Sequence, residues 1–312
     1  MKVLLTGAEG MLGRNFRNSW QLLRPHDELI AVARSDCDLT DIQSVRSLLH
    51  NVRPNTVIHT ASKVAGIVEK LDHPMHFLLQ NNIIDANTIQ AALDAGVGEF
   101  LYISSAAAYP AKKEAVFQED DLLSGKLETA NEPYALAKIS GMKLCQYASK
   151  EFGVSYRSVL PSNLYGPHDH FLSQHPHLIA SALRKLHDAV VNNAATVSVW
   201  GDGTARREFT YAPDVTDWLV TQIGHLQDWP SWVNLGCGDD YSVSEYYTLV
   251  SEIVGYSGDF YFDTSKPVGV QRRLLNSAVA RDMGWSSKTS IDEGLVQTYS
   301  HMLSQIEKSD LK

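Results

Sequence analysis

An alternation of short apolar runs with longer helical patterns restricts the fold of this chain more than any other feature of its sequence. The apolar runs cover residues 3–5, 29–32, 56–58, 100–103 and 156–160, and the helical patterns between them include residues 42–49, 77–95 and 134–152. Apolar runs of this length are typical of strands that are buried on both faces of a parallel sheet. The alternation therefore predicts an α/β fold, a doubly wound parallel sheet with right-handed crossovers.

The second half of the chain has a different pattern. From about Tyr165 the alternation gives way to loops and shorter pieces, with clusters of glycine and aspartate at residues 200–203 and 236–240. We therefore expect two domains. Residues 1–164 would form the doubly wound sheet, and residues 165–312 would form mostly a smaller mixed α/β domain, with some return to the first sheet.

Composition and charge exclude several classes of protein. The chain has 312 residues, 44% hydrophobic and 20% charged, which is typical of a folded globular protein. Its net charge of −9 argues against general binding of nucleic acid or of an anionic membrane surface. Its 3 cysteines form no CxxC pair and suit a reducing compartment. Because no apolar stretch approaches the ~18 residues of a membrane span, and the first apolar run is too short for a signal peptide, we expect a cytoplasmic protein.

A glycine-rich loop follows the first predicted strand. Gly7, Gly10 and Gly13 lie in the segment TGAEGMLG at residues 6–13, immediately before a helical run from Arg14. Glycines at these positions permit a tight turn and a close approach of the backbone, and the N-terminus of that helix would offer free N–H groups to a pyrophosphate. We therefore expect the three glycines and Met11 to bind the cofactor. An ordinary strand-to-helix turn is the alternative, but the position after the first strand of an alternating chain favours dinucleotide binding.

The end of the second predicted strand decides between NAD and NADP. An acidic residue there would bind the ribose 2′-hydroxyl of NAD, whereas this chain has Arg34, a partner for the 2′-phosphate of NADP. Arg34 therefore predicts NADP, although Glu9 in the glycine loop would repel the same phosphate and Arg34 has an alternative as a solvated surface charge. Asp38 and Leu39 follow in a short acidic loop and are candidates for contact with the adenine.

A tyrosine and a lysine four residues apart form the candidate catalytic pair. Tyr134 and Lys138 follow Pro133, which opens a predicted helix, so the two side chains share one helix face. A phenol transfers protons poorly near neutral pH unless a nearby cation stabilises its phenolate, and Lys138 would supply that cation. A surface pair is the alternative. Ser105, just after a predicted strand, favours the catalytic interpretation, because ligands of such sheets bind at the carboxyl ends of the strands.

Longer motifs resemble one family. They are ASKVAGI at 61–67, TANEPYALAKI at 129–139, NLYGPHD at 163–169, VWG at 199–201 and KP at 266–267. Together with the GxxGxxG spacing of the glycine loop, they resemble the extended short-chain dehydrogenases/reductases with a Rossmann-like fold, and within them the GDP-L-fucose synthase family. Enzymes of that family epimerise C3 and C5 of GDP-4-keto-6-deoxy-D-mannose and reduce its C4 carbonyl. The resemblance spans nearly the whole chain.

The resemblance implies a role for each matching residue. It implies that residues 1–164 bind NADPH and that residues 165–312 mostly bind a nucleotide sugar. Ser105, Tyr134 and Lys138 would form the reductase triad: Tyr134 would donate the proton, Ser105 would hydrogen-bond the C4 oxygen, and Lys138 would also hold the nicotinamide ribose. Ala61 would lie at the cofactor.

The remaining matches imply a substrate site and a dimer. Asn163 would lie near the sugar, and the residues expected to hold the rest of the GDP-linked substrate are Lys185, Trp200, Arg207 and Lys266. An arginine suits a bidentate grip on phosphate. The alternatives are a solvated surface for Lys185 and Arg207, and a core position for Trp200. By analogy with the family, we expect a homodimer.

One residue departs from the family pattern in a way that changes the chemistry. Epimerisation in the family uses a cysteine base and a histidine acid; the histidine matches His177, but Ala107 occupies the position of the cysteine. A methyl group cannot accept a proton. Cys145, on the helix after Lys138, is predicted to be a buried structural thiol. The sequence therefore predicts a C4 ketoreductase whose epimerase activity is lost or severely reduced, acting on a GDP-linked deoxy hexose or heptose.

Other interpretations remain open from the sequence. A complete epimerase and reductase that recruits another base is one, and a non-catalytic dinucleotide-binding scaffold or sensor is another. Val268 and Asn276 stand where acidic residues would match the family, which indicates a changed substrate pocket. A cluster of possible metal ligands fits no zinc spacing, so we expect no metal site there. Its members are His168, Asp169, His170, His175 and His177.

Overall fold

The computed structural model describes residues 1–111, 115–173, 176–266 and 268–310. The strands, in chain order, are β1 (Lys2–Thr6), β2 (Glu28–Val32), β3 (Thr56–His59), β4 (Glu99–Ile103), β5 (Ala115–Phe117), β6 (Ser155–Pro161), β7 (Asn163–Tyr165), β8 (Thr196–Trp200), β9 (Arg206–Tyr211), β10 (Trp232–Leu235), β11 (Asp240–Ser242), β12 (Asp259–Asp263) and β13 (Arg272–Leu275). The α-helices are α1 (Met11–Leu23), α2 (Ile42–Val52), α3 (Ile67–Asp72), α4 (Pro74–Asp94), α5 (Glu132–Phe152), α6 (Leu178–Val191), α7 (Ala212–Gln222), α8 (Val243–Val254), α9 (Ala278–Asp282) and α10 (Ile291–Asp310).

The larger sheet is parallel and doubly wound, as the alternating pattern predicts. Among the described residues it has 6 strands in the order β10-β6-β4-β3-β1-β2. The strand order reverses at β1, which pairs with β2 on one side and with β3 on the other. Ligands of such sheets bind outside the carboxyl ends of the strands at this reversal. The predicted fold is confirmed, and its topology points to the loops that follow β1 and β3.

The two faces of this sheet carry separate hydrophobic clusters. Leu4 of β1 packs into one cluster, while its neighbours Val3 and Leu5 pack into the other. Successive strand side chains point to opposite faces, so a run that is apolar at every position is buried on both sides. Helices α1 and α7 pack against each other, as do α4 and α5.

Helix α1 begins earlier than the sequence pattern indicates. The pattern predicts a helical run from Arg14, whereas the helix begins at Met11 with Gly10 as its N-cap. Gly10 adopts an extended φ of −72° and ψ of 167°, and the amide of Arg14 donates to its carbonyl. Part of the glycine motif therefore belongs to the first turn of the helix.

The rest of the chain forms a smaller mixed part. Strands β11, β9, β13 and β5 form a second sheet, to which β7 is added through β9, and β8 pairs with β12. The two parts exchange segments: β5 contributes to the second sheet, while β10 completes the larger sheet. The division at residue 164 remains a prediction, with these crossings as its exceptions. No helix in the described ranges combines the length and the hydrophobicity needed to cross a bilayer.

Candidate active site

The glycine loop lies at the carboxyl end of β1 and closes tightly. Gly7 has a left-handed φ of +71°, and a Cβ there would lie 2.6 Å from the backbone nitrogen of Ala61. A Cβ on Gly13 would lie 2.2 Å from the Gly7 carbonyl oxygen. Gly10 caps α1 without a side-chain hydrogen bond, and a Cβ on it would meet only the Gly7 carbonyl oxygen, at 3.5 Å. The first turn of α1, which starts at Met11, therefore has backbone N–H groups available for a pyrophosphate.

The loop after β2 contains the residues predicted to contact the adenosine. Arg34 and Asp38 are exposed and border a cavity of about 480 Å³. Hydrogen bonds from the hydroxyl and amide of Thr40 lower the pKa of Asp38. Leu39 is partly buried against the hydrophobic cluster on its side of the sheet. Arg34 thus stands at the strand end with its charge accessible.

Glu9 of the glycine loop is paired with two arginines. Its carboxylate accepts hydrogen bonds from Arg14 at 2.5 Å and from Arg17 at 2.7 Å. Two cations beside one carboxylate leave a net positive charge at this corner of the loop. The objection that Glu9 would repel a 2′-phosphate is therefore weakened.

The segment after β4 presents Ser105 beside α5. The Ser105 hydroxyl oxygen accepts a hydrogen bond from the amide of Ala107 at 3.1 Å and so caps the helical turn Ala106–Ala108. That turn packs against α5, and Ala107 contacts the cluster that contains Tyr134 and Ala135. The structure thus packs the turn that Ser105 caps against α5, with Ala107 beside Tyr134.

Tyr134 and Lys138 lie on one buried face at the start of α5. Their exposed fractions are 7% for Tyr134 and 2% for Lys138. The Lys138 ammonium donates to the carbonyl oxygen of Ile103, at the end of β4, at a distance of 3.1 Å. It lies 5.8 Å from the centroid of the Tyr134 ring and 4.8 Å from that of Tyr102. A cation fixed beside the phenol ring favours negative charge on the phenolic oxygen.

Ala107, which the resemblance aligns with the family's cysteine, presents a methyl group next to the phenol. Ala107 is 9% exposed and packs with Tyr134. Cys145 is completely buried, and burial raises the pKa of its thiol well above the ordinary value. A buried neutral thiol does not abstract a proton from a substrate. The expectation that Cys145 is structural is therefore confirmed.

His177 is the N-cap residue of α6 and has an acidic neighbour. Its side chain is solvent-accessible at the edge of the site. Desolvation by the surrounding protein lowers the pKa of His177, while the charge of Asp169 opposes that effect and the charge of Lys70 adds to it. Desolvation also raises the pKa of Asp169, which is 4% exposed. The geometry places His177 within electrostatic range of both groups.

Three predicted substrate residues come together on the smaller part of the molecule. The ammonium groups of Lys185 and Lys266 each lie 5.9 Å from the centroid of the Trp200 ring. Trp200 is exposed, so it is not a core residue. Burial lowers the pKa of Lys185, whose ammonium also donates to the carbonyl of Ser198 at 3.3 Å. An exposed indole flanked by two cations suits an aromatic base linked to phosphates.

Arg207 and Asn163 lie on neighbouring strands, β9 and β7. Arg207 is half-buried, and burial together with the charge of Arg273 lowers its pKa. Asn163 is exposed, and its amide donates to the carbonyl oxygen of Glu208 at 3.1 Å. The Arg207 guanidinium donates to the carbonyl oxygen of Arg206 at 2.7 Å, so both side chains are held in place by protein contacts.

Comparison with known proteins places this arrangement in a family. The sequence profile of the NAD dependent epimerase/dehydratase family matches residues 3–236. The chain belongs to this family. The match covers the glycine loop, the Tyr134 and Lys138 pair and most of the larger sheet.

Individual relatives show which members of the family this chain resembles. A GDP-L-colitose synthase from Yersinia pseudotuberculosis is 36% identical over 98% of this chain and 99% of its own length. A GDP-L-fucose synthase from Escherichia coli (strain K12) is 37% identical over 97% of this chain and 96% of its own length. Among solved structures, a GDP-mannoheptose C4 reductase from Campylobacter jejuni with NADP bound has a TM-score of 0.87 and 25% identity, covering 97% of this chain and 98% of its own. The resemblance drawn from the motifs is confirmed.

The structure places one basic residue at the candidate site that the sequence analysis missed. Lys70 of α3 is buried and lies 5.2 Å from the centroid of the Tyr134 ring. Its ammonium donates to the side-chain oxygen of Asn131 at 2.7 Å. No local pattern marks Lys70, because its proximity to Tyr134 arises from the packing of α3 beside the start of α5.

The histidine cluster is divided by the fold. His168 packs edge-on against His301 of α10, with the ring centroids 4.3 Å apart, and desolvation lowers its pKa to about 4. Asp169 pairs electrostatically with His177 instead. His175 lies outside the described residues, as does Pro267 of the KP motif. Within the described ranges, no group of three or more potential ligands could hold a metal ion.

Proposed function

We propose that this protein is an NADPH-dependent C4 ketoreductase of a GDP-linked 4-keto-6-deoxy sugar, either a hexose or a heptose. One observation carries the proposal: the buried side chain of Tyr134 lies beside both the Lys138 ammonium and the methyl group of Ala107. The proton donor and its cation are present, and the position of the epimerase base is inert. Relatives named as GDP-sugar synthases and as a GDP-sugar C4 reductase support the substrate class.

The glycine loop supports the choice of cofactor. Gly7, Gly10 and Gly13 would hold the pyrophosphate of NADPH at the first turn of α1, where a larger side chain would intrude. Arg34 would bind the 2′-phosphate. NADPH, when bound, supplies the hydride that C4 of the sugar accepts.

The side chains at the start of α5 would complete the reduction. As C4 accepts the hydride, its oxygen becomes basic, and the phenol of Tyr134 donates its proton to that oxygen. The Ser105 hydroxyl donates a hydrogen bond to the same oxygen and orients it. The Lys138 ammonium stabilises the phenolate that remains and holds the nicotinamide ribose.

The nucleotide part of the substrate would bind on the smaller part of the molecule. Trp200 offers a face for the guanine, and Lys185 and Lys266 offer charges for the diphosphate. Arg207 would bind phosphate in a bidentate manner, and Asn163 would contact the sugar. These local cations explain how a chain with a net charge of −9 would bind an anionic substrate.

The absence of a base at position 107 would separate reduction from epimerisation. Exchange at C3 or C5 requires a group that removes a proton next to the ketone, and another group that returns one from the opposite face. His177 supplies one titratable group, while Ala107 supplies none. The enzyme would therefore reduce a keto sugar without inverting its ring carbons.

The reductase activity is tested with purified protein, NADPH and GDP-4-keto-6-deoxy-mannose. We expect NADPH oxidation and a product reduced at C4, and we expect Tyr134→Phe to abolish turnover because the phenolic proton is lost. Tyr147→Phe is the matched control, since Tyr147 is an exposed tyrosine on the same helix. Full activity of Tyr134→Phe would refute the assigned proton donor.

A further inference from the structure

Lys70 is a buried cation that the proposed reaction does not yet use. It lies in the short helix α3 with 9% of its surface exposed, and lysine is rarely buried to this extent without a partner. Its ammonium contacts two groups at the start of α5: it donates to Asn131 at 2.7 Å and lies 5.2 Å from the centroid of the Tyr134 ring. The lysine is thus fixed against the phenol by a neutral amide.

The charges around Lys70 leave it incompletely neutralised. The carboxylate whose charge acts on Lys70, Glu128, accepts hydrogen bonds from Asn131 at 2.8 Å and from Arg273 at 3.2 Å. Arg207 lies beside Arg273 as a further cation. One carboxylate therefore serves three buried or half-buried cations, and a net positive charge remains next to Tyr134.

Charged and titratable groups on several elements lie near Lys70. Glu128 lies before α5 and raises the pKa of Lys70, whereas Arg273 of β13 lowers it. His177 at the start of α6 is within electrostatic range, and Glu69 on the same helix pairs with Lys63 at 4.0 Å. Burial is the largest influence and lowers the pKa of Lys70 to about 8.

We propose that Lys70 is a positioning residue of the proton-donor site, a second cation that stabilises the negative charge left on Tyr134 after proton transfer. This inference rests on the proposed reductase function. In that step the O–H bond of Tyr134 breaks, the proton forms a new O–H bond on the sugar oxygen, and the electron pair stays on the phenolic oxygen. Lys138 and Lys70 approach the same ring from different elements, so their fields add.

A dependence on pH follows from this arrangement. Lys70 carries its charge below a pKa of about 8 and loses it as the pH rises through that value. Its contribution to catalysis is therefore complete at neutral pH and disappears on the alkaline side. An arginine at the same position would keep its charge throughout, and a methionine would have none at any pH.

Steady-state kinetics of Lys70→Met and Lys70→Arg test the proposal. We expect Lys70→Met to lower kcat about tenfold at pH 7 with KM within about twofold, because the lost interaction forms only as the phenolate forms. In the wild-type profile kcat/KM would fall above pH 8, and Lys70→Arg would remove that fall. A loss confined to KM, or an unchanged profile in Lys70→Arg, would overturn the proposal.

Lys143→Met is the matched control for loss of a lysine. The Lys143 ammonium lies 4.9 Å from the centroid of the Trp232 ring and donates to the side chain of Gln146 at 3.0 Å. It therefore makes the same two kinds of contact as Lys70, with an aromatic ring and with a side-chain amide, but neither of its partners is Tyr134. We expect its kinetics to equal those of the wild type. An equal loss of kcat in Lys70→Met and Lys143→Met would contradict a specific role for Lys70.

A second measurement does not depend on turnover. In protein labelled with [¹³Cζ]tyrosine, the Tyr134 resonance is identified by its loss in Tyr134→Phe, and its titration is followed by NMR. We expect the midpoint of that titration to lie at lower pH in Lys70→Arg than in Lys70→Met, because arginine keeps its charge while the phenol titrates and methionine has none, and we expect Lys143→Met to equal the wild type. Equal midpoints in Lys70→Arg and Lys70→Met overturn the role of Lys70, whereas a wild type that reduces no GDP-4-keto sugar overturns the proposed function alone.

Discussion

At the scale of single residues, the proposed separation of reduction from epimerisation rests on the methyl group of Ala107. Ala107 packs against Tyr134, so a group at that position would lie beside the reacting carbon atoms of a sugar held by the phenol. A thiolate there would remove a proton next to the ketone, whereas a methyl group leaves the ring carbons unchanged. The specificity of the proposed reaction thus depends on one side chain.

We predict that Ala107→Cys introduces exchange of solvent deuterium into the sugar ring while C4 reduction continues. The thiol would supply the missing base, and His177 would serve as the second group. Ala106→Cys is the control, because Ala106 lies in the same helical turn but packs into a different cluster. Mass spectrometry of the recovered sugar nucleotide measures the exchange; equal exchange in both variants would show that position 107 is not special.

The residues of the candidate site differ in how far the sequence predicts them. The spacing of Tyr134 and Lys138 on a helix and the position of Ser105 after a strand are local patterns; in the structure the first two are close, and the turn that Ser105 caps packs against their helix. Lys70 has no such pattern, since it meets Tyr134 through packing between elements that are distant in sequence. The pairing of Glu9 with Arg14 and Arg17 also required the structure, because side-chain rotamers decide it.

At the scale of elements, the glycine loop and α1 form one unit. The strands are predicted closely because a run buried on both faces has an unambiguous pattern, whereas the pattern predicts the start of α1 at Arg14 and the helix begins at Met11. Glycine disfavours helix interiors, so the pattern did not reveal that Gly13 lies within the helix. Gly13 is there because any side chain would collide with the Gly7 carbonyl.

We predict that two alanine substitutions in this loop differ in whether stability or cofactor affinity is chiefly affected. Gly13→Ala would lower the free energy of unfolding by about 3 kcal/mol, since its Cβ would overlap the loop backbone. Gly10→Ala has space and an ordinary φ, and would cost about 1 kcal/mol through the weaker N-cap. Its methyl group would still stand where the pyrophosphate approaches, so we expect NADPH affinity to fall at least about tenfold. Urea unfolding and NADPH fluorescence titration measure the two effects; wild-type affinity in Gly10→Ala would contradict this placement of the cofactor.

At the scale of the whole molecule, α4 and α5 expose apolar side chains on neighbouring helices. These are Met75, Leu79, Leu136, Leu144 and Tyr147. An exposed apolar surface on two packed helices is typical of a protein interface. The homodimer expected from the family resemblance therefore has a candidate surface, which the sequence did not display because exposure depends on how the two helices pack.

We predict that the protein is a dimer and that the double variant Leu144→Glu, Tyr147→Glu is a monomer. Two carboxylates placed on the apolar surface would face their copies across the interface and would lose their water. Leu22→Glu is the control, because Leu22 is an exposed leucine on α1. Sedimentation velocity measures the mass, and a wild-type monomer at micromolar concentration would refute the dimer.

The most direct test of the central claim is the incubation of purified protein with GDP-4-keto-6-deoxy-mannose in deuterated water, with and without NADPH. A GDP-L-fucose synthase run in parallel serves as the positive control for exchange. The account predicts that NADPH is consumed, that the product is reduced at C4, and that C3 and C5 carry no deuterium. Deuterium at both carbons would contradict the account, because it would show that another group has replaced the base missing at Ala107.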